Sequence, residues 1–211
     1  MFKNRKQAGR QLVELLRNTP DVCDAKILAL PRGGVPVGYE IANALDLPLS
    51  IIVVRKLGVP FQPELAMGAV ASGNITYLDP TIANSCHISE HQLKQIIERE
   101  LCELSIREKR FHYDRNIAIR GNNIVLVDDG IATGSTMIAA INAIQTQAPK
   151  TISVAVPVAP RSIQEKLIGK VDHFYCLEMP DPFYAVGAHY QDFSQVVDDE
   201  VNLLLENKVV S

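Results

Sequence analysis

Long apolar runs are absent from this 211-residue sequence, and so is any excess of base, with 21 Lys and Arg against 24 Asp and Glu for a net charge of −3. The first absence leaves nothing of membrane-spanning length. The second removes the basic field that marks general nucleic-acid binding. The N-terminal stretch MFKNRKQAGR lacks the apolar core of a secretory signal. Cys23, Cys86, Cys102 and Cys176 are widely spaced and form no CxxC pair, which fits free or buried thiols in a reducing cytoplasm better than a disulfide framework. No internal repeat or low-complexity segment is visible. Two common phosphate loops are missing as well: no GxxxxGK[ST] occurs, and no GxGxxG opens a helix after a strand. What remains is an ordinary globular composition, 47% hydrophobic and 21% charged, long enough for one α/β domain with a smaller appendage.

The hydrophobic pattern divides the chain into alternating elements. Residues 2–18 carry Ala8, Leu12, Leu15 and Leu16 at helical spacing, and Thr19-Pro20-Asp21 stops them. Lys26–Leu30 reads as a buried strand ending at PRGG, followed by a helix over Val35–Leu45 with Pro36 in its first turn. Leu49–Val54 is a further apolar strand, and Arg55–Pro63, RKLGVPFQP, breaks into a loop. Ala66–Ala71 and Ile75–Leu78 flank SGN and predict an antiparallel hairpin. Ser89 with Gln92 forms a capping-box pattern before a long helix, whose apolar stripe is Leu93, Ile96, Ile97, Leu101 and Leu104, with solvated charges elsewhere. Ile124–Val127, Ile152–Val156 and His173–Leu177 are the remaining strands, with helices over Met137–Gln147 and Ser162–Ile168. Asp198, Asp199 and Glu200 read as a solvated helix start. Such alternation predicts a mostly parallel sheet covered on both faces, with the ligand beyond its carboxyl edge.

The most informative segment is NIVLVDDGIATGST, residues 123–136. A β-branched run ends in Asp128 and Asp129, and a glycine- and hydroxyl-rich turn leads into a helix. Backbone N–H groups at a helix N-terminus attract an anion. Gly130 and Gly134 permit a sharp turn and close approach. Thr133, Ser135 and Thr136 add hydroxyl donors, and the two carboxylates accept from vicinal sugar hydroxyls. PRGG adds a second candidate anion loop, with Arg32 as a fixed cation beside Gly33 and Gly34. PRGG, RKLG and DDGIATGST all follow strand ends, so all three are expected to face one cleft.

The acid pair and TGST loop resemble the PRPP-binding motif of type I phosphoribosyltransferases. The wider set AGR, LPRGG, VRKLGVP, PELAMGAV, VDDGIATGSTM and FYAVG is closest to phosphoribosyltransferases of undefined acceptor, some of them fused to hydrolase-like domains. The likeness covers nearly the whole length, and a sequence of this length is not expected to hold a fused hydrolase. It implies a mostly parallel five-stranded sheet flanked by helices, with an antiparallel hairpin and a small hood built from N-terminal residues and about 179–211. Asp128 and Asp129 would hold the ribose, and Ala132, Thr133, Gly134, Ser135 and Thr136 the 5′-phosphate. Arg32, Gly33, Gly34, Arg55 and Lys56 would bind pyrophosphate, Arg55 and Lys56 from a mobile loop that closes over PRPP. A strained peptide bond is expected between Arg32 and Gly33.

The tail 179–198 resembles the hood of hypoxanthine-guanine phosphoribosyltransferases, with Phe183, or else Tyr184, at the position that stacks on the base. Three departures stand against carrying over that specificity: an extra residue between Phe183 and Gly187, Gln191 where an aspartate is usual, and Val156–Pro160 in place of a lysine. The implied activity is transfer of the 5-phosphoribosyl group from PRPP to a nitrogenous acceptor of the nucleobase class, as in nucleotide salvage. Its expected cofactor, Mg²⁺, would be held near Asp128 and Asp129 through PRPP oxygens and water rather than by a protein cage. A non-catalytic PRPP sensor on the same fold is the alternative. The resemblance favours a cytoplasmic homodimer with small-molecule partners and neither membrane nor nucleic acid.

Overall fold

The protein is described here by a computed structural model covering residues 1–60, 62–113 and 118–208, with 63 and 64 in backbone only. Helix α1 (Arg5–Leu16) is capped by Asn4, whose side chain accepts from the Gln7 N–H at 2.9 Å. Strand β1 (Lys26–Ala29), helix α2 (Gly34–Leu45) and strand β2 (Leu49–Ile51) follow. A second group comprises β3 (Val54–Val59), β4 (Gln62–Ala71), β5 (Ile75–Leu78), α3 (Pro80–Ser85) and α4 (Glu90–Glu108). The chain then returns through β6 (Asn123–Val127), α5 (Ser135–Gln145), β7 (Thr151–Val158), α6 (Arg161–Leu167), β8 (His173–Glu178) and α7 (Asp198–Glu206).

Five strands form one parallel sheet in the order β2-β1-β6-β7-β8. The uninterrupted apolar run of β6 is explained by helices on both faces. Ile124 and Leu126 pack in one cluster with Ile141 and Ile144 of α5, while Val125 and Val127 pack in another with Leu12 of α1 and Ile41 of α2. The remaining strands make an antiparallel sheet, β3-β4-β5. Leu57, Met67 and Val70 of that sheet share a core with Ile96 and Leu104 of α4 and with Val201 and Leu205 of α7.

Two sequence expectations change here. The predicted strand Leu49–Val54 divides, with β2 in the parallel sheet and Val54 opening β3 of the other. The predicted loop Arg55–Pro63 is largely a strand pair. Gly58 marks a bulge, where the register shifts on both sides, and Pro60 marks a turn. Leu57 and Val59 are buried, so the segment has a core-facing side that its punctuation conceals. Phe61 lies outside the described residues. The long helix has the expected capping box, Gln92 N–H to Ser89 Oγ at 3.2 Å and Ser89 N–H to Gln92 Oε1 at 3.0 Å.

The N-terminal residues meet the segment 189–191. Phe2 donates to the His189 carbonyl at 2.8 Å, and Gln191 donates back to the Phe2 carbonyl at 2.8 Å. Phe2, Ala8, Val158 and Tyr190 form a small core with Phe183 and Val186 packed against it. Among the described residues no helix is long and apolar enough to cross a membrane. All four cysteines are free, and burial raises the Cys176 thiol to about 11.

Candidate functional site

β1 and β6 are parallel neighbours, with Ala29 opposite Val127, so their carboxyl ends place 30–34 beside 128–130. The approach is close enough to account for both glycines. A Cβ on Gly33 would stand 2.0 Å from Asp129 Oδ2, and one on Gly34 would stand 2.6 Å from the Val127 carbonyl. Gly33 has φ −59°, which any residue adopts. Space, rather than an unusual backbone, is what these positions require. The cis peptide bond of this loop lies between Pro31 and Arg32, one position before the expected Arg32–Gly33.

The TGST turn places Gly134 at φ +83° as the residue before α5, which starts two positions earlier than predicted. Gly134 needs its conformational freedom. Gly130 needs room instead, since a Cβ there would stand 2.5 Å from Val186 Cγ1. Ala132, Thr133 and Thr136 are exposed around the helix start, and the Thr133 and Ser135 hydroxyls lie 3.1 Å apart.

A cavity of about 880 Å³ lies over this edge. Asp128 and Thr136 line it from the motif, Leu30 and Pro31 from the β1 loop, and Arg55 and Lys56 from β3. Four of the predicted site residues thus share one cleft. The others are placed differently. Asp129 turns to Arg5, whose Nε donates to Oδ2 at 2.7 Å, and both side chains are largely buried. Arg5 also donates to the Ser194 carbonyl at 2.8 Å and lies 3.9 Å over the Phe193 ring. The Tyr190 hydroxyl donates to the Asp129 carbonyl at 2.6 Å. Arg32 turns to the C-terminal segment, pairing with Asp198 at 3.0 Å and donating to the Val196 carbonyl at 3.1 Å. Asp198 is therefore not merely the solvated helix start read from the sequence. Phe183 stacks on His189 at 5.6 Å, and Tyr184 is 83% exposed. Neither lines the cavity.

The two acids differ electrostatically. Burial, then the charge of Asp129, pushes the Asp128 carboxyl well above its ordinary value, against the Asp129 N–H that donates to its Oδ1 at 2.8 Å. Burial also raises Asp129, with Arg5 opposing.

Helix α4 contributes residues that sequence reading missed. Arg99, Glu100 and Arg107 line the cavity. Glu100, only 8% exposed, accepts from Arg55 Nε at 2.9 Å and from Arg99 Nε at 3.1 Å. Arg107 reaches the Pro31 carbonyl at 3.3 Å. A signal existed: Leu93, Ile97, Glu100, Leu104 and Arg107 follow 4-3-4-3 spacing, so two charged residues stand within the inward stripe. The charges on this helix are not all solvated.

Comparison with known proteins places this architecture. The sequence model described as a phosphoribosyl transferase domain matches residues 3–192. Proteins of two Mycobacterium tuberculosis strains, CDC 1551 and H37Rv, both carrying the provisional name of a phosphoribosyl transferase, are 40% identical over 207 residues. That match covers 98% of this chain and 46% of theirs, so the chain spans about half the length of these relatives. The crystal structure of TT1426 from Thermus thermophilus superposes with a TM-score of 0.90 at 36% identity, covering 98% of each chain. Adenine phosphoribosyltransferase from Leishmania tarentolae shares the fold alone, with a TM-score of 0.50 at 15% identity over 90% of this chain and 76% of that one. A five-stranded parallel sheet with DDGIATGST at its carboxyl edge agrees with the matched domain, and the chain belongs to the phosphoribosyl transferase domain family.

Proposed function

We propose that this chain catalyses Mg²⁺-dependent transfer of the 5-phosphoribosyl group from PRPP to a nitrogenous acceptor of the nucleobase class, releasing pyrophosphate. In this reading residues 1–211 act as one cytoplasmic domain in nucleotide salvage, with a hood from the N-terminal residues and the tail after 178. The observation that carries the reading is the shared cavity, where Asp128 and Thr136 of the motif face Arg55, Lys56, Arg99 and Arg107. Acid for ribose, helix start for phosphate and cations for a leaving diphosphate then lie in the order PRPP needs.

The acceptor nitrogen forms a bond to C1 as the C1–O bond to diphosphate breaks. That bond's electron pair leaves with the diphosphate, and the acceptor's N–H proton is released. A ribosyl oxocarbenium-like transition state asks the protein for positioning and charge neutralisation. Asp128 holds the ribose hydroxyls, and the 132–136 turn with the start of α5 takes the 5′-phosphate. Asp129 serves as support, lying against Gly33 while holding Arg5. The Asp128 carboxylate, at the cavity wall, is a hard oxygen donor suited to a cation carried mainly by PRPP oxygens and water. Bound there, Mg²⁺ would neutralise diphosphate charge.

The test is a pyrophosphate-release screen with PRPP and Mg²⁺ against purines, pyrimidines and other amine or amide acceptors. Turnover of one acceptor supports the proposal. Tight PRPP binding with no acceptor used would favour a PRPP sensor, a reading that draws on the position of Phe183 and Tyr184 away from the cavity. A chain that binds no PRPP defeats both.

A further inference from the structure

Helix α6 grips the TGST turn at two points. Ile163 is buried beneath it, where a Cβ on Gly134 would stand 2.8 Å from the Ile163 Cδ1. Three residues on, and so on the same face of the helix, the Lys166 ammonium donates to the Thr133 carbonyl at 3.1 Å. Lys166 is exposed, and among the described residues it pairs with no carboxylate, so its charge is uncommitted.

That contact sorts the backbone groups of the turn. Lys166 takes the Thr133 carbonyl, and the Gly134 carbonyl accepts from the Ile138 N–H at 2.8 Å as α5 begins. Both acceptors are thus satisfied within the protein. The Ser135 N–H is directed to Thr133 Oγ1 at 3.4 Å, whereas the N–H groups of Gly134, Thr136 and Met137 have no partner among the described residues. Donors without acceptors are what an anion requires. The Thr133–Gly134 peptide is planar and trans, so its C=O and N–H point in opposite directions. Drawing the carbonyl toward α6 therefore turns the Gly134 N–H away from α6. Without that anchor the carbonyl is free to rotate, and its oxygen would repel a phosphate.

We propose that Lys166 is a positioning residue for the 5′-phosphate: by holding the Thr133 carbonyl it presents the Gly134 N–H to the anion, and its charge favours a phosphorylated sugar over a bare one. This role rests on the PRPP reading above. It adds a residue that lies outside both the motif and the cavity lining.

The experiment is calorimetric titration of the full chain with ribose 5-phosphate and, separately, with sodium pyrophosphate, in the wild type, Lys166→Met and Lys166→Arg. Lys166→Met keeps an apolar stem and removes the donor and its charge. It is expected to bind ribose 5-phosphate about fivefold more weakly, the loss of a charge-assisted contact. Lys166→Arg, which can still donate to the carbonyl, should stay within about twofold of the wild type. Pyrophosphate affinity should change by less than about twofold in both variants, since the cations proposed for it stand on β3 and α4. Heteronuclear NMR of the Gly134 amide supplies a readout that general stability does not move. Its resonance should shift when ribose 5-phosphate is added to the wild type, and shift less in Lys166→Met. Thermal melts without ligand establish that each variant folds. Unchanged ribose 5-phosphate affinity in folded Lys166→Met overturns the role and leaves the donor reading intact. Equal weakening of both ligands marks a general disturbance and also overturns it. A wild type that binds neither ribose 5-phosphate nor PRPP defeats the donor reading, and the role of Lys166 with it.

Discussion

Adjacent aspartates at one strand end have been given opposite surroundings. Asp128 lines the cavity and, among the described residues, has no cation in hydrogen-bond reach, whereas Asp129 is tied to Arg5 at 2.7 Å. The Asp128 carboxyl is raised well above 3.8 by burial and by Asp129. Such a group contributes stability that is whole below its unfolded pKa and is lost as pH rises through the folded one. Asp128→Asn should therefore melt at a higher temperature than the wild type at pH 7, with the gain shrinking as pH falls toward 4. Its PRPP affinity should fall by about tenfold or more, a trade of function for stability. A melting temperature at pH 7 at or below wild type would contradict this electrostatic account. Arg5→Gln leaves the enclosed Asp129 carboxyl without its cation beside a second acid, and should lose about 3 kcal/mol of stability at pH 7 by urea denaturation. Both acids have raised pKa values, so lowering the pH should return part of that loss.

At the scale of elements, the site is a meeting of two strand ends and one helix. The β1 loop can lie on the acid pair because Gly33 and Gly34 present no side chain there. Gly33→Ala places a methyl group 2.0 Å from Asp129 Oδ2, so the loop or the Arg5–Asp129 pair must shift. A cost of about 1–3 kcal/mol in denaturant stability is expected, together with weakened PRPP binding. Wild-type stability in this variant would mean that the loop does not lie against Asp129. Helix α4 forms the opposite wall, where Glu100 fixes Arg55 and Arg99 while leaving Arg107 open.

For the whole molecule, the first residues and the tail are one structural unit. Phe2 is 2% exposed, packs 5.3 Å from the Tyr190 ring and pairs by backbone with His189 and Gln191. Arg5, Phe193 and Tyr190 carry that union to Asp129. Phe2→Ala should cost about 3 kcal/mol by chemical denaturation. The same variant should weaken PRPP binding, because the hood and Arg5 lose their common anchor. Loss of stability with no change in PRPP affinity would show that the union is structural only.

Features that depend on near neighbours were legible along the chain. Period-two and period-3.6 patterns marked the strands and helices, and Ser89 with Gln92 marked the start of α4. The β-branched run, paired acids and TGST turn marked the site and its family, because that motif is one continuous segment. Folding settled which acid stays open, since Arg5 is 124 positions from Asp129. It also decided that Arg32 turns toward Asp198, and that Arg55 and Lys56 lie in a strand, because β3 is defined by pairing with β4 rather than by its own punctuation. Local chemistry is written along the chain. The direction a charge faces is set by the counter-charge that folding brings to it.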